Sequence, residues 1–525
     1  MIKKLRIQNF RSIKDITLYV SNLNALIGPN STGKTNILKA LDLLLGEAWT
    51  TKAKVSREYF NDPAAPIVIE AELKEPVTFR TPSSYKETTV TSVRLELTIE
   101  PDVSAKTTIN GGNTFYGQEQ FKKLCHFIYL PADRNLANEL RVSQWTMLGK
   151  LMKVIHENYI ENYSTDDNLK AAFLEAINPA KEFLEKDFSA DPAIVTFKKF
   201  VDSFKSNCKA NSHGLANDFE PVLNIYNLNW FYKTLQIQVK ESLPDKHFDS
   251  EDVGAGMQNL LMLSIFQTYA QLMGGRVIFG IEEPEIYLYP QAQRSLYKHF
   301  QSISEQSQIF YSTHNPNFVD AARPSDIILL RKSVENGTYP LKKSTYFSAE
   351  NAEKDRHRIY TQFNKDRNEL FFAKKVLLVE GDSDKILIAT LCEHHWDIDI
   401  DAEGISIIPC GGKAGVLYFI GICQMVGIED YFAVWDTDNE IDDRRNILSA
   451  TLDAKKGLAF DPNMETALSI PAGADAKKVK NAYEWVINTD VEQVPGTLNS
   501  LRQFLDHNYT IEEAVAVIND DDLPF

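Results

Sequence analysis

The sequence predicts an α/β protein built on two separate parallel sheets, and three stretches carry that expectation. Residues 24–27 form a short apolar strand that runs into a glycine-rich turn and then a helical pattern over 36–45. Residues 277–281 and 309–312 are apolar-led runs of the kind that fill the centre of a parallel sheet. Between 375 and 435 a strand–helix–strand–helix–strand order recurs, which calls for a second parallel sheet.

The remaining elements follow in order. Residues 4–10 and 15–20 alternate as a hairpin, and 67–74 and 92–100 alternate as half-buried strands. A further short strand is expected at 127–130. From 142 to 211 the pattern turns helical and interrupts two β-rich regions, so it reads as an insertion; alternation returns at 234–240. A helix is expected over roughly 290–304, and a polar helical connector over 345–370. The resulting boundaries are 1–141 and 226–345 for the first α/β unit, 142–225 for the insertion, 346–372 for the connector and 373–525 for the second unit.

Composition bounds the function. The chain has 525 residues, 43% hydrophobic and 24% charged, which suits globular domains rather than disorder. Its net charge of -16 makes it a poor non-specific polyanion binder, so any contact with nucleic acid must be local or metal-assisted. The cysteines (Cys125, Cys208, Cys392, Cys410 and Cys423) form no CxxC pair, which argues against a disulfide framework and a thiolate zinc site and fits a reducing cytoplasm. The N-terminus enters strand-like alternation directly, without a signal-peptide core. The longest apolar stretch, 416–428, contains Gln424 and is too short for a bilayer. A buried helix and no membrane contact are expected.

Gly28-Pro29-Asn30-Ser31-Thr32-Gly33-Lys34-Thr35 matches the P-loop pattern in the strand-to-helix setting that the motif requires. Glycines let successive amides turn inward, and the helix N-terminus adds positive potential for phosphate. Lys34 is placed to meet the β- and γ-phosphates and Thr35 to ligate Mg²⁺. Asn30, Gly33 and Asn36 complete the nucleotide candidates. Downstream, Val277-Ile278-Phe279-Gly280-Ile281 ends in Glu282 and Glu283 at the carboxyl edge of a strand, where open α/β sheets bind ligands. Glu282 is the candidate for holding Mg²⁺ through water and Glu283 for polarising the attacking water. His314, in Tyr311-Ser312-Thr313-His314-Asn315-Pro316, is the candidate γ-phosphate sensor.

The second sheet carries its own acidic site. Val379-Glu380-Gly381-Asp382-Ser383-Asp384 places Glu380 at a strand end and Asp384 in the first turn of the next helix. Val434-Trp435-Asp436-Thr437-Asp438 ends another strand, and two-residue spacing puts Asp436 and Asp438 on one strand face. Converging carboxylates repel unless a divalent cation is present, and oxygen-only donors suit Mg²⁺ or Mn²⁺.

The first set of motifs resembles the ABC ATPase heads of the SMC, RecF and OLD (overcoming lysogenization defect) families over roughly 1–345. In those heads the arginine of an opening like Ile7-Gln8-Asn9-Phe10-Arg11-Ser12 lies near the nucleotide, which implies that role for Arg11. The resemblance also implies a signature motif that completes a partner subunit's site. Gly254-Ala255-Gly256-Met257-Gln258 is its best match, with Gly256 as the candidate contact and Ala255 where a serine is usual. Tyr289 stands where OLD heads usually carry histidine.

The acidic pattern resembles the Toprim domain over roughly 373–500. Lys375 to Asp384 and Gly411-Gly412-Lys413 match its OLD version closely. That resemblance implies Glu465 as a further acidic ligand holding a second metal, and a C-terminal lysine used in cleavage. Lys478 and Lys480 both fall in place for it, and Lys480 is carried as the candidate. No tyrosine presents itself as a topoisomerase nucleophile, so hydrolysis by water is expected. The order head-then-Toprim implies an OLD-family endonuclease: an ATP-binding head gating two-metal DNA cleavage, a helical dimerisation insertion, homo-oligomers and a role in phage defence. The similar Gabija nuclease subunit works beside a UvrD-like helicase. The competing expectation is a DNA-repair ATPase with a Toprim scaffold, and intact Glu380, Asp436 and Asp438 argue against it. An RNA-directed nuclease is a further alternative that the residues do not separate from a DNA nuclease.

Overall fold

The computed structural model describes residues 1–46, 50–80, 87–115, 121, 125–132, scattered positions between 140 and 186, 196–211, 235–240, 247–272, 277–320, 323–341, 367–451 and 456–506. By packing, the chain divides into one unit of Met1–Ala132 with Met273–Phe525 and a second of Asp133–Leu272. The inserted unit is thus wider than the 142–225 expected from helical patterning.

In the first unit, β1 (Ile2–Phe10) and β2 (Ile13–Tyr19) form the expected hairpin, with Leu5 opposite Leu18 and Ile7 opposite Ile16. Their alternation buries Leu5 and Ile7 completely. β3 (Leu23–Ile27) is buried throughout and feeds α1 (Lys34–Leu45). β4 (Ile67–Arg80) and β5 (Glu87–Thr98) pair over more of their length than the sequence pattern suggested. Their register shifts between Glu72 and Val77, so strict alternation breaks there and hides the second half of β4 from a periodicity argument. β6 (Ser104–Ile109), β7 (Asn113–Thr114) and β8 (His126–Leu130) follow.

In the inserted unit the described elements are α2 (Phe197–Asn211), the small ladder of β9 (Gln238–Lys240) with β10 (His247–Asp249), and α3 (Ala255–Leu272). Most of the expected helical insertion, and the connector up to 366, lie outside the described residues.

The first unit resumes with β11 (Val277–Glu282), α4 (Pro290–Ile303), β12 (Gln308–Ser312), β13 (Ile327–Ser333) and β14 (Gly337–Pro340). They complete a sheet ordered β7-β6-β5-β4-β1-β2-β14-β13-β3-β12-β11-β8. β13 joins its two halves, antiparallel to β14 and parallel to β3. From β13 to β8 the strands are parallel, so the carboxyl ends of β3, β12 and β11 lie side by side. The core beneath them includes Leu38 and Leu41 of α1, Ile278, Phe310 and Leu330.

The C-terminal sheet is entirely parallel, ordered β16-β15-β17-β18, from β15 (Lys375–Val379), β16 (Ile405–Pro409), β17 (Tyr431–Asp436) and β18 (Gly457–Phe460). Its helices are α5 (Asp382–Leu391), α6 (Lys413–Val426), α7 (Ile441–Thr451), α8 (Asp475–Asn488) and α9 (Asn499–Leu505). α6 is the buried helix anticipated from 416–428; no described helix is long and apolar enough to cross a membrane. Lys375 is a cation in a buried strand, and its ammonium is satisfied by the carbonyls of Phe504 and Leu505 at 3.0 and 2.7 Å. α5 packs on α8, which brings the first turns of both helices toward the ends of β15 and β17.

Candidate functional site

The P-loop sits between β3 and α1, with backbone that its glycines permit. Gly33 has φ 98°, and a Cβ there would lie 2.4 Å from Thr338 Oγ1. A Cβ on Gly28 would lie 2.4 Å from the Leu330 carbonyl, so β13 and β14 press directly on the turn. Lys34 is buried and donates to the carbonyls of Gly28 and Pro29 at 2.7 and 2.9 Å. Burial pulls its ammonium down to about 8, against the opposing charge of Glu283. Phosphate oxygens replacing those carbonyls would favour the charged form. Thr35 and Asn36 follow on α1 and Asn30 is exposed on the loop.

Arg11 sits in the turn between β1 and β2. Its guanidinium covers the rings of Phe10 and Tyr59 and reaches Asn36 Oδ1 at 3.5 Å. Asn36 in turn donates to Ser12 Oγ at 2.8 Å, and Ser12 bonds Thr338.

The neighbouring strand ends supply the other head residues. Glu282 is buried, and its carboxylate accepts from Tyr129 Oη at 2.8 Å and from the Ala132 N–H at 3.1 Å. Glu283 turns off the strand with φ 42° and donates its N–H to the Ser312 carbonyl, which ties the ends of β11 and β12 together. His314 is exposed just beyond β12. Partial desolvation of its ring lowers the imidazole pKa, and the Lys34 charge lowers it further. Glu285 fixes this loop by accepting from Thr313 Oγ1 at 2.7 Å and the His314 N–H at 3.0 Å. The sequence reading gave neither Tyr129 nor Glu285 a role. Glu285 was within reach, since it closes the same acidic run, whereas nothing local marks Tyr129.

The signature candidate opens α3 in the inserted unit, with Gly254 accepting from the N–H groups of Met257 and Gln258 at 2.9 and 3.1 Å and Gly256 in the first turn. Tyr289 is exposed at the N-cap of α4, followed by Pro290.

In the C-terminal sheet β15 and β17 are neighbours, so Glu380 and Asp436 meet at their carboxyl ends. The Asp436 N–H donates to Glu380 Oε1 at 2.8 Å. Asp436 Oδ1 accepts from the Met464 N–H at 2.8 Å, and Asp384 Oδ2 from the Gly381 N–H at 2.9 Å. Burial pushes Glu380 up to about 7, and the charges of Asp384 and Asp438 add to it. Burial likewise raises Asp436 to about 7, with Asp384, Glu380 and Glu465 contributing. Asp384 rises to about 6 by burial and the charge of Glu465. Glu380, Asp384, Asp436, Asp438 and Glu465 thus make five carboxylates whose charges repel around one pair of strand ends.

Two expectations are corrected here. β17 ends at Asp436, and Asp438 lies beyond it with φ 47°, so the two do not share a strand face. Asp438 instead pairs with Lys413, at 2.8 Å from Nζ to Oδ2. Of the two lysines, Lys478 is the one brought to the site, 3.4 Å from Glu465 Oε1. Lys480, the residue carried forward, is exposed and pairs with Glu484 one turn along α8, because helical periodicity rotates it onto the outer face.

A divalent cation fits this donor set by its chemistry: hard carboxylate oxygens, several of them repelling one another in a half-buried setting. Among the described residues no three histidine, cysteine, aspartate or glutamate side chains already stand close enough to form a finished metal shell.

Fold and site together define a P-loop ATPase head continued by a Toprim domain. Residues 1–75 and 83–319 match the AAA ATPase domain family AAA_15, and residues 371–438 match the overcoming lysogenization defect protein-like TOPRIM domain. The chain belongs to the AAA_15 ATPase family, and the segment behind its head is similar to the Toprim domain of overcoming lysogenization defect proteins. It is 29% identical to the OLD nuclease of Thermus scotoductus over 96% of this chain and 98% of that one. Identity is 22% to the Old nuclease of Escherichia phage P2, over 82% of this chain and 76% of the relative. Endonuclease GajA of Bacillus cereus is 24% identical over 78% of this chain and 70% of its own. Head and Toprim domain imply use of a nucleotide and a divalent metal.

Proposed function

We propose that the chain is an ATP-binding endonuclease that nicks or cleaves DNA by hydrolysis at its Toprim strand ends, under control of its ATPase head, in defence against phage. The observation that carries this reading is the gathering of Glu380, Asp384, Asp436 and Glu465 at the ends of β15 and β17, with Lys478 against Glu465. The nuclease names of its relatives support the same reading.

Bound Mg²⁺ or Mn²⁺ would supply activation of water and stabilisation of the leaving oxygen of a phosphodiester. Glu380, Asp384 and Asp436 are the residues to hold them, and Asp438 and Glu465 extend the set. Backbone N–H groups already hold the carboxylates of Glu380, Asp436 and Asp384 in place. Lys478 places a positive charge beside Glu465, where phosphate charge must be met. In a chain of net charge -16, such local cations and the metals themselves bring DNA in.

In the head, Lys34 and Thr35 bind the phosphates and their Mg²⁺, Glu283 orients water and His314 senses the γ-phosphate. The His314 loop also touches the Toprim side. Asn368 donates to the carbonyls of Pro316 and Val319 at 3.0 and 3.1 Å, and Arg331 of β13 donates to the Ala373 carbonyl at 3.0 Å. These contacts support gating of cleavage by nucleotide. Homo-oligomerisation through the head and insertion, a UvrD-like helicase partner and a cytoplasmic setting belong to the same reading.

The test is plasmid cleavage with Mn²⁺ and with EDTA. Asp436→Ala combined with Asp438→Ala should abolish cleavage while leaving binding of an ATP analogue intact. Full metal-dependent cleavage by that double variant would sink the assignment. Parallel DNA and RNA substrates separate the DNA reading from an RNA nuclease.

A further inference from the structure

Lys413 opens α6 directly behind Gly411 and Gly412, and its position is set from two sides. The N–H groups of Gly411 and Gly412 donate to the backbone carbonyl of Glu380 at 2.8 and 2.9 Å, so the turn is anchored on one half of the acidic site. The ammonium crosses to the other half. It lies 2.8 Å from Asp438 Oδ2 and 3.5 Å from Glu440 Oε2, and donates to the Thr437 carbonyl at 3.2 Å. The lysine side chain is 13% exposed and that of Asp438 51%. Among the described residues Lys413 is the partner that holds the Asp438 carboxylate, whose backbone has already left the strand with φ 47°.

We propose that Lys413 is a positioning residue of the metal site, holding Asp438 by one carboxylate oxygen so that the other serves the divalent ion held by Glu380 and Asp436. The inference rests on the reading of those carboxylates as metal ligands. Two effects of opposite sign meet at this lysine. As a cation it repels a divalent ion; as an orienting partner it removes the rotamer freedom that an exposed carboxylate must otherwise lose on binding. Orientation wins here, because the ammonium charge is spent on Asp438 and Glu440, two carboxylates for one cation. Partners that orient metal-binding groups are worth roughly 10–100-fold in metal affinity. The hydrogen bonds of the turn to Glu380 make the same lysine sensitive to where the first ligand sits.

The experiment is calorimetric titration of the full-length protein with MnCl₂, which reads metal binding without reference to cleavage. Lys413→Met should weaken Mn²⁺ binding by about tenfold, and Lys413→Arg should restore most of it. In an Asp438→Asn background the Met substitution should add nothing. Plasmid nicking should show a lower kcat with an unchanged KM for DNA. Mn²⁺ binding as tight as wild type, or tighter, in Lys413→Met would overturn the proposal, since a mere charge guard gives that result. If Lys413→Met does not fold, as judged by thermal melting and ATP-analogue binding, Lys413→Gln carries the same comparison: weaker binding supports the role and equal or tighter binding overturns it. A wild-type protein that binds no Mn²⁺ overturns the metal-site reading and this inference with it. Wild-type binding with an insensitive Lys413 overturns the inference alone.

Discussion

Lys478 Nζ stands 3.4 Å from Glu465 Oε1, across the gap between α8 and the turn that follows β18. Two positions further on, Lys480 is turned to solvent and pairs with Glu484. Lys478→Ala should therefore lower the cleavage rate by at least about 100-fold, the scale of a lost charge-stabilising or proton-transferring group. Lys480→Ala should stay within about twofold of wild type, since an exposed i,i+4 pair contributes little. Initial nicking rates of the two variants decide it, and the reverse ranking would return the role to Lys480.

The acidic cluster makes the metal-free protein pH-sensitive. Glu380 and Asp436 are raised to about 7 and Asp384 to about 6, against roughly 4 for unfolded carboxylates. Between those limits the folded chain holds more protons than the unfolded one, so this contribution to stability falls as pH rises from about 4 to about 7. In EDTA the Tm should be lower at pH 8 than at pH 6, and added Mn²⁺ should raise it more at pH 8. Asp436→Asn should flatten the difference. A Tm in EDTA that is higher at pH 8, unaffected by Asp436→Asn, would refute the account.

Gly280 sits mid-strand in β11, where a Cβ would meet Phe127 Cζ at 2.7 Å and Cε2 at 3.2 Å. Glycine there makes room for the Phe127 ring of the adjacent strand β8. Gly280→Ala should destabilise the head by about 1–3 kcal/mol through overpacking. Combining it with Phe127→Leu should recover part of the loss in urea denaturation. An unchanged midpoint in the single variant would show that the ring moves aside freely.

Asn368 joins the loop after His314 to the segment that leads into the Toprim domain. Asn368→Ala leaves the carbonyls of Pro316 and Val319 without this donor and touches neither chemical site. Cleavage without nucleotide should stay near wild type, while the effect of ATP on cleavage should shrink toward none. Wild-type nucleotide response in this variant would place the coupling elsewhere.

Much of the site was legible in the residues because each motif is short and bound to a strand end. The P-loop, Glu282–Glu283, His314, Glu380, Asp384 and Asp436 all stand at the carboxyl ends of parallel strands, where strand-to-helix turns converge. Asp438 was misplaced because period-two alternation holds only while the strand lasts, and β17 stops at Asp436. Tyr129 was invisible because its partner Glu282 lies 153 residues away, so nothing local marks it.

By itself, the sequence determined the strand-to-helix turns that carry both sites, the parallel C-terminal sheet and the residue types gathered at the strand ends, since these follow from local periodicity and residue type. Only the tertiary structure decided which cation serves which carboxylate. Lys413 reaches Asp438 because α6 packs on β15 and β17, and Lys478 reaches Glu465 from α8, which packs on α5. Helix phase and helix docking set those pairs, and neither can be read from spacing along the chain.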